Sequence, residues 1–197
     1  MPSESHRKRV KHYHDAGDVH ELTCSCYRRL PLLTNNLWRG YLARALDTAA
    51  QAAQIQLYAF VFMREHLHLL VNPVGINKKE SLSHYLAAFK RKCSVQVKED
   101  CERGNNALLA KLTIQERPGR IVFRFWQEGG GYDRNLKTAA TIQAAIDYLH
   151  LNPVRAGLCK LPTDWKWSSA RWFASEAQTD DPDLPRLWKL PAEYARA

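Results

Sequence analysis

Apolar residues recur along this chain with two periods, and the switches between them mark out its elements. Val19 to Tyr27 alternates with a period of two, as a half-buried strand does. From about Asn36 to Gln54 the residues Leu37, Tyr41, Leu42, Ala45, Leu46 and Ala49 recur at helical spacing. Leu57 to Met63 and His66 to Val71 are rich in β-branched, aromatic and aliphatic residues, and read as two strands joined tightly at Arg64-Glu65. Asn77-Lys-Lys-Glu80 has the form of a capping box opening a second helix, with a stripe of Leu82, Leu86, Phe89, Cys93 and Val97. Residues 101–119 carry no clear period and read as a loop insertion with a short helix near Ala107 to Leu112. Ile121 to Gln127 reads as another strand, and Gly129-Gly-Gly131 as a loop or hinge. Leu136 to Leu151 reads as a helix burying Ala139, Ile142, Ile146 and Leu149, ended by Pro153, with a turn at Gly157. Trp165 to Trp172 reads as a short helix before a polar terminus.

One strand departs from its apolar pattern in a way that suggests chemistry. Strand alternation puts Leu67, Leu69 and Val71 on one face and His66, His68 and Leu70 on the other. Two imidazoles then stand roughly 7 Å apart at their Cα atoms on a rigid support. That spacing suits convergence on one metal ion or one phosphate. A lone histidine in a strand is usually structural, but two at this spacing displace the Val or Ile that the pattern favours.

Charge points to the partner. The chain has 197 residues and a formal net charge of +9, a surplus that favours a polyanion. Arg7, Lys8, Arg9 and Lys11 form a basic arm, and Lys90, Arg91 and Lys92 a cationic run on the second helix. A run of this kind is often only a solvated face, but few carboxylates accompany it. No apolar run reaches the roughly 18 residues of a membrane span, and the amino-terminal stretch lacks the apolar core of a signal peptide. A cytoplasmic, nucleoid-associated protein without a membrane partner is expected. Five scattered cysteines argue against a disulfide framework. Cys24 and Cys26 share a strand face, but no second pair completes a zinc site, so buried thiols are expected.

The second suggestive segment is Asp147-Tyr-Leu-His-Leu-Asn-Pro153. Tyr148 and Asn152 are four apart, hence on one helical face, and Tyr148 lies off the Ile142–Leu149 stripe. Taken alone, Tyr148 would be a packed ring with a solvated hydroxyl. With the histidine strand it can contribute a phenol to a shared site.

Four stretches then carry a resemblance: Phe62-Met-Arg-Glu-His-Leu-His-Leu-Leu70; Phe125-Trp-Gln127 with Tyr132-Asp-Arg134; Tyr148-Leu-His-Leu-Asn-Pro-Val-Arg-Ala-Gly-Leu158; and Asp164-Trp-Lys-Trp-Ser-Ser169. Together with the opening strand they span roughly residues 13–173. On these motifs the chain resembles the single-tyrosine HUH transposases, and most of all the REP-associated tyrosine transposases. It departs from the pattern at Glu65, where members often have Asn, and residues 101–119 match no family pattern.

The resemblance implies an α/β (α+β) fold, with a ferredoxin-like central antiparallel sheet and helices on one face. It divides the chain into a basic arm at 1–12, a catalytic domain at 13–160 and a short helical tail at 161–197. It implies Mg²⁺ or Mn²⁺ on His66 and His68, with Asn152 as third protein ligand, and Tyr148 as nucleophile on single-stranded DNA near a hairpin. Arg7, Lys8, Arg9, Lys11, Lys90, Arg91 and Lys92 are the expected DNA contacts, and the protein a monomer or homodimer. Tyr132, following the glycines, is the rival nucleophile. The physical logic agrees. Phosphodiester cleavage needs an in-line nucleophile and charge neutralisation on the phosphate. A phenol titrates near pH 10, so it attacks poorly until a neighbouring cation favours the phenolate. A phosphotyrosyl link would preserve the ester for rejoining without ATP. The alternatives are a non-catalytic binder of DNA hairpins and a metal hydrolase of small phosphoesters, which would need neither the arm nor the tyrosine.

Overall fold

The computed structural model describes residues 19–75, 77–178 and 181–194. The arm at 1–12, with Arg7, Lys8, Arg9 and Lys11, lies outside the described residues.

Four strands form one antiparallel sheet: β1 (Val19–Ser25), β2 (Ile55–Phe62), β3 (His66–Pro73) and β6 (Tyr132–Leu136), in the order β2-β3-β1-β6. Helix α1 (Asn36–Ala53) joins β1 to β2, and α2 (Lys78–Gly104) leaves β3. Helix α4 (Ala139–Arg155) follows β6. This is the ferredoxin-like arrangement.

Helices cover both faces of the sheet, not one. Leu22, Cys24, Leu67, Leu69 and Val71 pack against Leu42, Leu46, Phe89 and Cys93 of α1 and α2. On the reverse face, Val19, Tyr58, Val61 and Leu70 pack against Ile142, Ala145, Ile146 and Leu149 of α4. Strand β2 serves both cores by alternation, and a register slip between Leu57 and Ala59 shifts its phase, so that Tyr58 and Ala59 both lie in the α4 core and Phe60 returns to the other.

Several boundaries differ from the sequence reading. Asn77 is the N-cap of α2 but its side chain makes no capping bond, so the box does not form. Tyr85 and Cys101 join the buried stripe of α2, which runs on to Gly104. Residues 101–119 are not a loop. They complete α2, form α3 (Asn106–Leu112), and open a hairpin of β4 (Thr113–Arg117) and β5 (Arg120–Phe123) that turns at Pro118-Gly119. Of the expected strand at Ile121 to Gln127, only Ile121 to Phe123 lie in β5, and Trp126 adds one bridge to Cys26. Leu136 ends strand β6 instead of starting a helix. Helix α4 runs through Pro153 to Arg155, so the proline sits inside the last turn and does not end the helix before it. Gly157, at φ +68°, then reverses the chain.

The carboxy-terminal segment is stitched onto β2. Phe62 N–H donates to the Trp167 carbonyl at 2.8 Å, Ser169 N–H to Phe60 at 3.0 Å, and Trp188 N–H to Leu57 at 2.9 Å. These bonds cover the outer edge of the strand, which would otherwise be open to pairing. Short helix α5 (Ala170–Ala174) follows. Among the described residues no helix is long and apolar enough to cross a membrane.

Candidate active site

The site grows from the pairing of β1 with β3. Ser25 lies opposite His66 and Thr23 opposite His68, on the face covered by α4. His66 follows the turn at residues 63–65, where Cys26 N–H donates to the Glu65 carbonyl at 2.8 Å. The two imidazoles meet edge to face, with their Nε2 atoms 3.1 Å apart.

Each ring is held from behind. Glu65 Oε1 lies 2.9 Å from His66 Nδ1, and Thr23 Oγ1 lies 2.9 Å from His68 Nδ1. A carboxylate can only accept, so His66 carries its proton on Nδ1 and presents a lone pair at Nε2. The Thr23 hydroxyl can accept from His68 Nδ1 in the same way, which turns both Nε2 lone pairs toward one point. Burial pulls His66 below the usual imidazole range, opposed by Glu65. Burial, then His66 and Arg29, pull His68 down to about 4. Both rings are therefore neutral at pH 7, the form that binds a metal. Two ligands at about 2.1 Å on one ion and at right angles would stand about 3 Å apart. The donor set therefore fits a divalent ion. Among the described residues no third His, Cys, Asp or Glu joins them.

Tyr148 reaches this pair from α4. Its ring stands edge to face on His68 at 5.8 Å between centroids, and the residue is 45% exposed. The Arg155 guanidinium lies over the same ring at 5.3 Å. Arg29, on the turn after β1, is close enough to both imidazoles to disfavour their protonation. Arg28 and Arg29 both take φ of 52°, a left-handed turn that is uncommon outside glycine. Positive charge thus gathers around a neutral histidine pair and an accessible phenol.

The model of the IS200-like transposase family matches residues 15–113, half of the chain. The chain belongs to the IS200-like transposases. The matched span contains His66 and His68 and stops before α4. A REP-associated tyrosine transposase, solved bound to a REP hairpin, superposes with a TM-score of 0.60 at 16% identity, covering 97% of this chain and 99% of that one. A Deinococcus radiodurans R1 protein assigned as a transposase gives a TM-score of 0.40 at 16% identity, covering 73% of this chain and 98% of that one. No curated protein matches.

In this transposase the fold brings together three of the residues singled out from sequence: His66, His68 and Tyr148. Asn152 lies one turn beyond Tyr148, its amide nitrogen 3.4 Å from the Tyr148 carbonyl. The cationic run lies elsewhere. Helix α2 packs on the face of β3 that carries Leu67 and Leu69, so Lys90, Arg91 and Lys92 sit across the sheet from the histidines. Lys90 Nζ donates to the Gly129 carbonyl at 3.1 Å and Lys92 Nζ to Thr48 at 3.0 Å. Cys24 and Cys26 are buried free thiols, both raised above the usual range by burial.

Sequence reading missed Thr23, Glu21, Arg29 and Arg155. Only strand pairing puts Thr23 behind His68. Gly131 supports that pairing: at φ +81°, a Cβ there would stand 2.0 Å from the Thr23 carbonyl, so only glycine lets β6 close on β1 at this point.

Proposed function

We propose that this IS200-like transposase cleaves and rejoins single-stranded DNA, with Tyr148 as nucleophile and a divalent ion, Mg²⁺ or Mn²⁺, held by His66, His68 and Asn152. One observation carries the reading: an accessible phenol stands edge to face on one member of a neutral, converging histidine pair.

The Tyr148 hydroxyl attacks phosphorus in line with the 3′ oxygen. The new bond is a 5′-phosphotyrosine. The bond to the 3′ oxygen breaks, and that oxygen leaves as a free 3′-hydroxyl. The reverse attack by a 3′-hydroxyl restores the phosphodiester and frees the phenol. A bound divalent ion would supply Lewis acidity toward the phosphate oxygens. Glu65 and Thr23 orient the two imidazoles, while Arg155 and Arg29 place positive charge where the phosphate must sit. Asn152, one turn beyond Tyr148, would complete the set through its amide oxygen, its amide nitrogen lying 3.4 Å from the Tyr148 carbonyl.

The substrate is a strand next to a hairpin. The structural relative bound to a REP hairpin supports this reading, as does the net charge of +9. Lys90, Arg91 and Lys92, across the sheet from the histidines, contact the duplex stem, and Arg7, Lys8, Arg9 and Lys11 add further phosphate contacts. The catalytic domain is assigned to residues 13–160, with 161–197 as its carboxy-terminal tail.

The deciding experiment incubates the protein with single-stranded hairpins from the flanks of its gene and Mn²⁺, then scores covalent protein–DNA adducts. Wild type and Tyr132→Phe form adducts. Tyr148→Phe binds the DNA and forms none. An adduct mapped to Tyr132, or binding with no adduct by wild type on any hairpin, removes the reading. The latter outcome would favour a hairpin-binding protein without chemistry.

A further inference from the structure

Helix α4 covers the sheet unevenly. Its large side chains, Ile142, Ile146 and Leu149, lie in the core beside β2 and β3. Toward β1 and β6 it presents Ala144 and Ala145, and a cavity of about 400 Å³ remains between helix and sheet. That volume lies within the ordinary range of ligand pockets, about 300–1,000 Å³. Glu21, Thr23 and His68 line it from the strands, and Tyr132, Arg134 and Tyr148 complete its wall.

Glu21 is the unusual member. Its side chain is 8% exposed, and its ion pair with Arg134 is 3.5 Å long. Arg134 is itself half exposed. A nearly buried carboxylate with one long ion pair is costly to keep unless something else uses it. The role proposed above for Tyr148 does not.

We propose that this cavity is a recognition pocket for one unpaired guanine of the DNA strand, next to the phosphate that Tyr148 attacks; this rests on the single-strand reading above. An unpaired guanine offers two adjacent donors, N1–H and the N2 amino group, which match the two oxygens of the Glu21 carboxylate. Its neighbouring acceptors, O6 and N7, match the fork of an arginine, and Arg134 stands beside Glu21. The Tyr132 ring, 54% exposed at the cavity wall, offers a stacking surface. Adenine and cytosine each present a single amino group to the carboxylate. Thymine presents one N–H flanked by two carbonyls, which a carboxylate repels.

The test measures binding without chemistry. Labelled thymidine oligonucleotides of about ten residues, within the site size of a single-strand binding groove, carry T, C, A or G at one central position. Affinity to the full chain is read by fluorescence anisotropy in chelator. The guanine strand should bind on the order of tenfold more tightly than all-thymidine, with the adenine and cytosine strands between. Glu21→Gln should bring that ratio close to one while keeping affinity for all-thymidine. Ala144→Leu, which fills the cavity, should do the same, and Arg134→Gln serves if that variant fails to fold by circular dichroism. Equal affinities in wild type, or a guanine preference that survives in the folded variants, overturns the pocket. The two readings fail separately. Adducts without a Glu21-dependent base preference would remove the pocket alone. A Glu21-dependent preference without adducts would remove the nuclease alone.

Discussion

Ser169→Ala tests how the carboxy-terminal segment holds the site together. Ser169 is 1% exposed. Its Oγ accepts from Phe60 N–H at 3.1 Å and lies 2.8 Å from His150 Nε2. Phe60 belongs to β2, and His150 to α4, two residues beyond Tyr148. One hydroxyl therefore ties the sheet, the helix that carries Tyr148 and the tail. Burial holds His150 down to about 4, so at pH 7 the ring is neutral and can accept from that hydroxyl. Alanine leaves the Phe60 N–H and the His150 Nε2 unpaired, while the Phe60 carbonyl keeps its bond from Ser169 N–H. Each buried orphan costs about 1–3 kcal/mol, so a loss of roughly 2–6 kcal/mol is expected for the two. For a chain of this size that is a fall of roughly 4–24 °C in Tm. Urea denaturation followed by circular dichroism measures it. Ser168→Ala is the comparator. Ser168 is equally buried but among the described residues its hydroxyl serves the Ala170 N–H alone, so it should cost about 1 kcal/mol. Equal losses for the two variants, or less than about 1 kcal/mol for Ser169→Ala, would refute the tie.

Three further outcomes are expected. Thr23→Val keeps the shape but removes the partner of His68 Nδ1, so the Mn²⁺ concentration for half-maximal adduct formation should rise about 10–100-fold; an unchanged titration would leave Thr23 without an orienting role. Asn152→Ala should raise that concentration more than Asn152→Asp does, and superimposable curves for wild type and Ala would remove Asn152 from the ligand set. Burial holds the Glu21 carboxyl above its usual value of 4.5, with Arg134 opposing. A raised carboxyl stabilises the fold below the unfolded pKa and loses that contribution as pH rises through the folded one. Glu21→Gln should therefore be more stable than wild type at pH 7, with the gain shrinking toward pH 4 in parallel denaturation curves; a loss of stability at neutral pH would contradict the assignment.

Local periodicity determined much of this protein. A period of two in β3 already put His66 and His68 on one face and Leu67, Leu69 and Val71 on the other, because side-chain direction in a strand is set by neighbouring residues alone. Helical period set Tyr148 off the buried stripe of α4 in the same way. Where that local signal was weak, the reading failed. Strand β6, Tyr-Asp-Arg-Asn-Leu136, buries only its last residue, so no alternation announces it. The β4–β5 hairpin is largely exposed for the same reason. What stands behind and beside the histidines was beyond any local pattern. Thr23 meets His68 across 45 residues of chain, and Glu21 meets Arg134 through the pairing of β1 with β6. Such contacts depend on which strands become neighbours, in which register, and on a glycine at 131 that lets two of them approach. Sequence determined which face the chemistry would occupy; tertiary structure decided what surrounds it, because register is a property of the whole sheet and not of any one strand.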